Sequence, residues 1–155
     1  MVGKAVIMGT FLIICMIISY IDIQKQTIYN EAVAALFVPA IVSFFVFPEI
    51  TPLSRILGAV SISGLMLLVS VLKPGAFGGG DIKMMIPVGL FLGLRNTWTA
   101  WILAVFIATL NFGAKFMWRE FVRRRCPARK ISGILPFGPA LCLGSVITMF
   151  YSIYE

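Results

Sequence analysis

Six apolar runs follow one another along the chain, separated by short segments that carry charged, glycine or proline residues. They cover residues 5–21, 32–50, 53–72, 82–94, 97–118 and 134–153. About 20 apolar residues form a helix long enough to cross the hydrocarbon core of a bilayer. The pattern therefore predicts an all-α, polytopic membrane protein with six transmembrane helices, in which residues 1–155 form a single integral membrane domain.

The fourth run is short for a membrane span, since residues 82–94 would cover only about 20 Å of a hydrocarbon core about 30 Å thick. Joining it to the fifth run would give one long helix with Arg95 and Asn96 near its middle. An unpaired arginine at that depth is costly. We therefore predict a hairpin turn at Arg95–Thr97, between two separate helices.

Composition and charge agree with a membrane location. Of the 155 residues, 60% are hydrophobic and 12% are charged, which is more apolar surface than one soluble domain of this size could bury. The net charge of +7 lies in short segments between the apolar runs, so it indicates membrane topology and gives no support for nucleic-acid binding.

The basic residues predict an orientation. Ten lie on one side of the six predicted spans: Lys25, Lys73, Lys83, Lys115, Arg119, Arg123, Arg124, Arg125, Arg129 and Lys130. Three lie on the other side: Lys4, Arg55 and Arg95. Because basic loops stay in the cytoplasm, we predict an inner (plasma) membrane protein with both termini outside the cytoplasm.

Residue types missing from the sequence narrow the chemistry. The sequence has no histidine, and its three cysteines show no CxxC spacing. Serine or cysteine nucleophiles paired with histidine, HExxH zinc proteases and most zinc sites are therefore excluded. We predict neither a metal nor a cofactor.

Only two aspartates occur, and each adjoins an apolar run. Asp22 follows the first run and Asp81 precedes the fourth, so an even number of spans places them on the same side. Either one alone is as readily explained as an interfacial helix cap. Together they could hydrolyse a peptide bond, since one carboxylate can take a proton from water while the other protonates the carbonyl oxygen.

Three glycines, Gly78, Gly79 and Gly80, directly precede Asp81. Their low helix propensity and wide backbone freedom would let an unwound segment approach an extended substrate. Irregular backbone at membrane depth is tolerated where it lines a cavity, so we expect this loop to do so. A flexible connector between spans would also explain the glycines, but it would leave Asp81 without a role.

These residues resemble the motifs of type IV prepilin peptidases, which are membrane aspartic proteases of the GxGD type. The segment Gly78-Gly79-Gly80-Asp81-Ile82-Lys83 is similar to the family's GxGDxK motif. Asp22 with Ile28-Tyr29-Asn30 resembles the first aspartate and the Ile-Pro-Asn that follows it, with tyrosine in place of proline. Pro136-Phe137-Gly138-Pro139 resembles the PFGP motif that opens the final span.

The resemblance implies a function and a set of site residues. It implies the GxGD protease fold, Asp22 and Asp81 as the catalytic pair, and cleavage of the basic leader of a prepilin or pseudopilin at the cytoplasmic membrane face. The residues implied for substrate binding or the active-site loop are Gly78, Gly79, Gly80, Lys83, Pro136, Phe137, Gly138 and Pro139. Lys83 is equally well explained as an interfacial lysine that sets topology. The expected partners are the substrate protein and membrane lipid.

Two other functions use the same residues. A small transporter could bind a cation or relay protons through the aspartates, and it would be active in vesicles without any peptide. A catalytically silent assembly protein could keep the fold, and pilus assembly would then survive Asp→Asn substitution at either position.

Overall fold

The computed structural model describes residues 2–25, 27–125 and 137–154, and within these ranges all regular structure is helical. The helices are α1 (Val2–Lys25), α2 (Asn30–Val46), α3 (Pro52–Leu72), α4 (Gly79–Arg125) and α5 (Gly138–Tyr154). The predicted all-α class is confirmed. Three segments of these helices are long and apolar enough to cross a membrane, namely Val2–Lys25, Pro52–Leu72 and Gly79–Ala114, as expected of a membrane protein.

The helix α4 folds back on itself at Gly93, whose φ of 76° and ψ of 172° are not helical. Before this residue, Met84 contacts Cys142 of α5; after it, Ala104 lies against Gly144 of the same helix. Cys142 and Gly144 are only two residues apart, whereas a straight helix from Met84 to Ala104 would span about 30 Å. The first arm of α4, before Gly93, and the second arm, after it, therefore run in opposite directions.

The prediction of a reversal was right, but its predicted position at Arg95–Thr97 was wrong, because these residues are helical. Glycine is the residue that adopts a positive φ without steric cost, so the turn forms at Gly93. The amide of Leu94 leaves the helical pattern and donates to Oγ of Ser54 at 3.0 Å. Oγ1 of Thr97 donates to the carbonyl of Gly93 at 2.5 Å, which satisfies that group at the break.

Arg55, which was predicted to lie on the same side as Lys4 and Arg95, has a fully buried side chain. Its Nη2 donates to the carbonyls of Ser43 at 3.0 Å and Phe47 at 2.9 Å, where α2 ends. Its Nη1 donates to the carbonyl of Leu90 at 2.8 Å, near the end of the first arm of α4. The guanidinium also lies 4.7 Å from the ring centre of Phe44. Arg55 is buried because its guanidinium binds carbonyl groups where two helices end, and the usual helical donor to one of them, the carbonyl of Leu90, is bonded to Ser54 instead.

The bundle has two distinct ends. At the end that holds Arg55, the ammonium of Lys4 lies 2.6 Å from the carboxylate of Glu49, in the turn between α2 and α3. This hydrogen bond holds the pKa of the exposed Glu49 carboxyl below its ordinary value. At the opposite end, α1 finishes with Asp22 and Lys25. The two ends are therefore separated by the length of α1.

Between the two ends, the helices pack closely around an apolar core. The rings of Phe11 and Phe91 stack with their centroids 4.3 Å apart. Gly58 and Gly89 let the backbones of α3 and the first arm of α4 touch, since a methyl group on Gly58 would lie 2.9 Å from the amide of Leu94. This tight packing fixes the orientation of the first arm of α4. The N-terminus of that arm lies at the end of the bundle opposite to Arg55.

Candidate active site

Asp22 follows the first apolar run and lies in the last turns of α1, which continues to Lys25. It extends the buried face of this helix, following Cys15 and Ile18 at helical spacing, and its side chain is only 5% exposed. Its Oδ2 accepts a hydrogen bond of 3.1 Å from the amide of Gly138, the first residue of α5. The carboxylate therefore meets unpaired N–H groups and the positive end of a helix dipole.

The contact between Asp22 and α5 requires a glycine. A methyl group on Gly138 would lie 2.6 Å from Oδ2 of Asp22 and 3.1 Å from its Cγ. The first distance is shorter than real Cβ contacts and the second is tighter than most of them, so any side chain at this position would push the carboxylate away. The predicted residue Gly138 thus meets the predicted residue Asp22 across 116 positions of sequence.

Asp81 is the third residue of α4, so it lies in the first turn of the helix that contains the fourth apolar run. It is 8% exposed, and the amide of Gly78, just before the helix, donates to its carboxylate. This is the geometry in which an acidic residue of the first turn caps its own helix. The other carboxylate oxygen, Oδ1, is shielded from solvent and forms no hydrogen bond with any residue of the described ranges.

Ile28, between α1 and α2, separates the two helix starts that carry these contacts. A methyl group on Gly80 would lie 2.7 Å from Cβ of Ile28, and one on Gly138 would lie 3.3 Å from its Cδ1. Ile28 thus touches Gly80, which precedes Asp81 in the sequence, and Gly138, whose amide binds Asp22. Ile28 was not among the predicted site residues. Its place in the Ile-Tyr-Asn segment after Asp22 was the feature of the sequence that could have identified it.

The two carboxylates occupy one buried region. The charge of Asp22 acts on Asp81, and both charges act on the thiol of Cys142 in α5. Like charges repel, so the charge of Asp22 acts against a second negative charge on Asp81. The shielded Oδ1 of Asp81 remains an acceptor for a water molecule.

The remaining predicted site residues surround this pair. The rings of Phe77 and Phe137, which precede the glycines that donate to each aspartate, are 5.6 Å apart between centroids. Gly79 borders open space, with no other atom within 4 Å of a methyl group built on it. Pro139 is the second residue of α5 and is partly buried.

Two predicted residues need separate mention. The exposed Lys83 donates to Oδ1 of Asn30 at 3.2 Å, so its ammonium is directed towards the start of α2. Pro136 lies outside the described residues, as do Cys126 and the basic residues Arg129 and Lys130.

The chain is similar to known leader peptidases. A model of the type IV leader peptidase family matches residues 9–114, a range that includes both aspartates. The chain is 27% identical over 142 residues to the prepilin leader peptidase/N-methyltransferase of Bacillus subtilis (strain 168), covering 91% of this chain and 54% of that protein. It therefore spans about half the length of this curated relative. No solved structure matches the chain.

Proposed function

The chain belongs to the type IV leader peptidase family, and from this premise we propose that it is a membrane-embedded aspartic endopeptidase with Asp22 and Asp81 as its catalytic pair. Its substrates are type IV prepilins or pseudopilins, from which it removes the basic leader peptide. With the more basic side of the protein inside, cleavage takes place at the cytoplasmic face of the plasma membrane, and both termini lie outside the cytoplasm. The two arms of α4 together with α1, α2, α3 and α5 make six spans.

One observation supports this proposal above all: Ile28 lies against both Gly80, which precedes Asp81, and Gly138, whose amide binds Asp22, although these segments lie far apart in the sequence. Asp22 accepts from the amide of Gly138, and Asp81 accepts from the amide of Gly78. A structural cap needs only one carboxylate at each helix start. Two caps whose charges act on each other in a buried region are costly for stability alone, which favours a catalytic role.

The pair hydrolyses a peptide bond in two steps that need no metal. In the first step, the ionised carboxylate takes a proton from a bound water molecule while the water oxygen attacks the carbonyl carbon, and the protonated carboxyl gives its proton to the carbonyl oxygen. In the second step, the carboxyl that gained a proton passes it to the amide nitrogen, and the C–N bond breaks. The other carboxyl recovers its proton as the new carboxylic acid forms, so the pair again holds a single proton.

Two helix starts support this chemistry electrostatically. The positive dipole ends of α4 and α5 face the carboxylates, which stabilises the one negative charge that the pair keeps throughout the reaction. The shielded Oδ1 of Asp81 accepts a hydrogen bond from the attacking water molecule, since no described residue donates to it. We assign the water-binding position to the space between this oxygen and the carboxylate of Asp22.

The substrate enters as an extended chain along the glycine segment. Gly78, Gly79 and Gly80 present backbone without side chains, and the open space beside Gly79 leaves room for a second backbone. Phe77 and Phe137 form an apolar wall over the pair that excludes bulk water. Lys83 and the segment from Pro136 to Pro139 complete the proposed active-site loop.

Leader removal by charge-neutral variants tests the proposal. A candidate prepilin is co-expressed with the wild type, Asp22→Asn, Asp81→Asn or Glu31→Gln, and the leader is followed by the mobility of the pilin on a gel. Glu31 lies in the first turn of α2, and its exposed side chain makes it the matched control. We expect processing by the wild type and Glu31→Gln and a loss of about 100-fold or more in each aspartate variant. Continued processing by either aspartate variant contradicts the proposed mechanism.

A further inference from the structure

Three sulfur atoms from three helices meet in the core beneath the carboxylates, and the proposed hydrolysis uses none of them. Cys15 comes from α1, Met84 from the first arm of α4 and Cys142 from α5. Sγ of Cys142 lies 4.0 Å from Sδ of Met84 and interacts directly with the thiol of Cys15. All three side chains are buried, with exposures of 1%, 0% and 3% respectively. We name these residues the sulfur cluster.

The spacing of the sulfur cluster suits a metal ion with three ligands. With metal–sulfur bonds of about 2.3 Å, two ligands at 120° in a trigonal plane are separated by about 4.0 Å. Cys142 and Met84 already stand at this separation. These two sulfur atoms therefore need no change in separation to share one metal ion.

The chemistry of the ligands selects the ion. Thiolate and thioether sulfur are soft ligands that favour Cu(I), whereas zinc takes a tetrahedral set of thiolate, imidazole or carboxylate ligands. The hydroxyl of Ser19 also hydrogen-bonds to the thiol of Cys142, so the cluster offers a polar contact that supports the ligating sulfur. A monovalent soft ion matches this environment best.

The sulfur cluster adjoins each element of the carboxylate pair. Cys15 lies two helical turns before Asp22, Met84 lies three residues after Asp81, and Cys142 lies one turn after Gly138. The charges of both aspartates reach the thiol of Cys142. A charge placed on the sulfur cluster is therefore felt by the carboxylates.

We propose that Cys15, Met84 and Cys142 form a binding site for a soft monovalent metal ion, Cu(I) or Ag(I). On binding, the S–H bonds of the two cysteines break, three metal–sulfur bonds form, and two protons leave for the solvent. Two thiolates and one monovalent cation carry a net charge of −1, whereas the sulfur cluster without metal is neutral. This negative charge disfavours the ionised form of the carboxylate that activates water, so a protein loaded with metal cleaves its substrate more slowly. This consequence alone rests on the proposed function.

Metal titration of the purified full chain tests the site without relying on activity. The protein is reduced, kept free of oxygen in detergent and titrated with Cu(I) or Ag(I) against a chelator of known affinity. The ultraviolet absorbance of the metal–thiolate bonds and the protons released are both recorded. We expect one tightly held ion and two protons per chain. The Cys126→Ser variant, which changes the third cysteine of the sequence, is the matched control and keeps this binding.

Variants of the sulfur cluster identify the ligands. Cys15→Ser and Cys142→Ser should each lose about 100-fold in affinity, and Met84→Leu about 10-fold. Leucine has nearly the volume of methionine, so the last variant removes the thioether and keeps the packing. The site is refuted if these three variants bind as tightly as the wild type, or if binding disappears only with Cys126→Ser. Metal binding in a protein that leaves prepilins uncleaved would refute the proposed function and leave the site intact.

Discussion

Replacing Arg55 by methionine should destabilise the protein more than any other single loss of a positive charge among the described side chains. The change keeps the apolar part of the side chain and removes the guanidinium. It leaves the carbonyl of Leu90 without its donor, and the amide of Leu94, the usual helical partner of that carbonyl, is already bonded to Ser54. The carbonyl of Phe47, at the end of α2, also loses a bond of 2.9 Å.

The cost follows from the number of groups left unpaired. A buried polar group that loses its partner costs about 1–3 kcal/mol, and bonds from a charged donor are at the upper end. The unpaired carbonyl of Leu90, the charged bonds lost at the carbonyls of Ser43 and Phe47, and the contact of the guanidinium with the ring of Phe44 together give a loss of about 3–5 kcal/mol in the free energy of unfolding. Water cannot compensate for these carbonyls where the helix ends lie within an apolar bundle.

The free energy of unfolding is measured in mixed micelles by titration with a denaturing detergent, with helix content followed by circular dichroism. Lys73→Met is the matched control, because it removes one positive charge from an exposed side chain at the end of α3 and should change stability by less than about 0.5 kcal/mol. Arg55→Lys should fall between the two, since an ammonium cannot reach all the carbonyls that a planar guanidinium binds. A loss below about 1 kcal/mol in Arg55→Met would refute the role assigned to this residue.

Two glycine substitutions test the geometry of the site and of the turn, each with a control. Gly138→Ala should slow leader removal by about 100-fold, because the new methyl group displaces the carboxylate of Asp22, whereas Gly9→Ala in α1 meets open space away from the site and should stay within a few-fold of the wild type in the same assay. Equal rates in the two variants would contradict the proposed contact. Gly93→Ala should lower the free energy of unfolding by about 2 kcal/mol or more, because alanine is strained at a positive φ, while Gly64→Ala within α3 should raise it by up to about 1 kcal/mol. A Gly93→Ala variant as stable as the wild type would contradict the reversal at that residue.

The apolar runs predicted the helices well because burial in lipid or in the bundle demands continuous apolar segments. The run at residues 53–72 corresponds to α3 at Pro52–Leu72, which starts where Thr51 caps the helix. The run at residues 32–50 extends beyond α2, which ends at Val46 because Pro48 cannot continue a helix. The position of the reversal in α4 was missed because a turn of one glycine leaves no polar segment to mark it.

The burial of Arg55 could not be predicted from its position near the start of an apolar run. The distribution of basic residues predicts on which side of a membrane a residue lies, but it does not tell a solvated arginine from one that binds carbonyl groups. That distinction depends on where α2 and the first arm of α4 end in three dimensions. Both ends are defined by tertiary packing, including the contact of Gly89 with α3.

The candidate site was predictable in its residues but not in its contacts. Two aspartates in an apolar chain without histidine pointed to carboxylate chemistry, and the motifs around them pointed to the family, which the comparison confirms. Nothing local to Asp22 indicates that its partner is the amide of Gly138, or that Ile28 lies between the two glycine-containing helix starts. The catalytic pairing of Asp22 and Asp81 stays a prediction.

The most direct test of that pairing compares the rates at which purified Asp22→Asn, Asp81→Asn and the double variant cleave a prepilin in detergent. Two carboxyls that share one water and one proton act as a unit, so each single variant should lose about 1000-fold and the double variant should lose no more than either. Losses that multiply in the double variant, or a single variant that keeps more than about a tenth of the wild-type rate, would contradict the account.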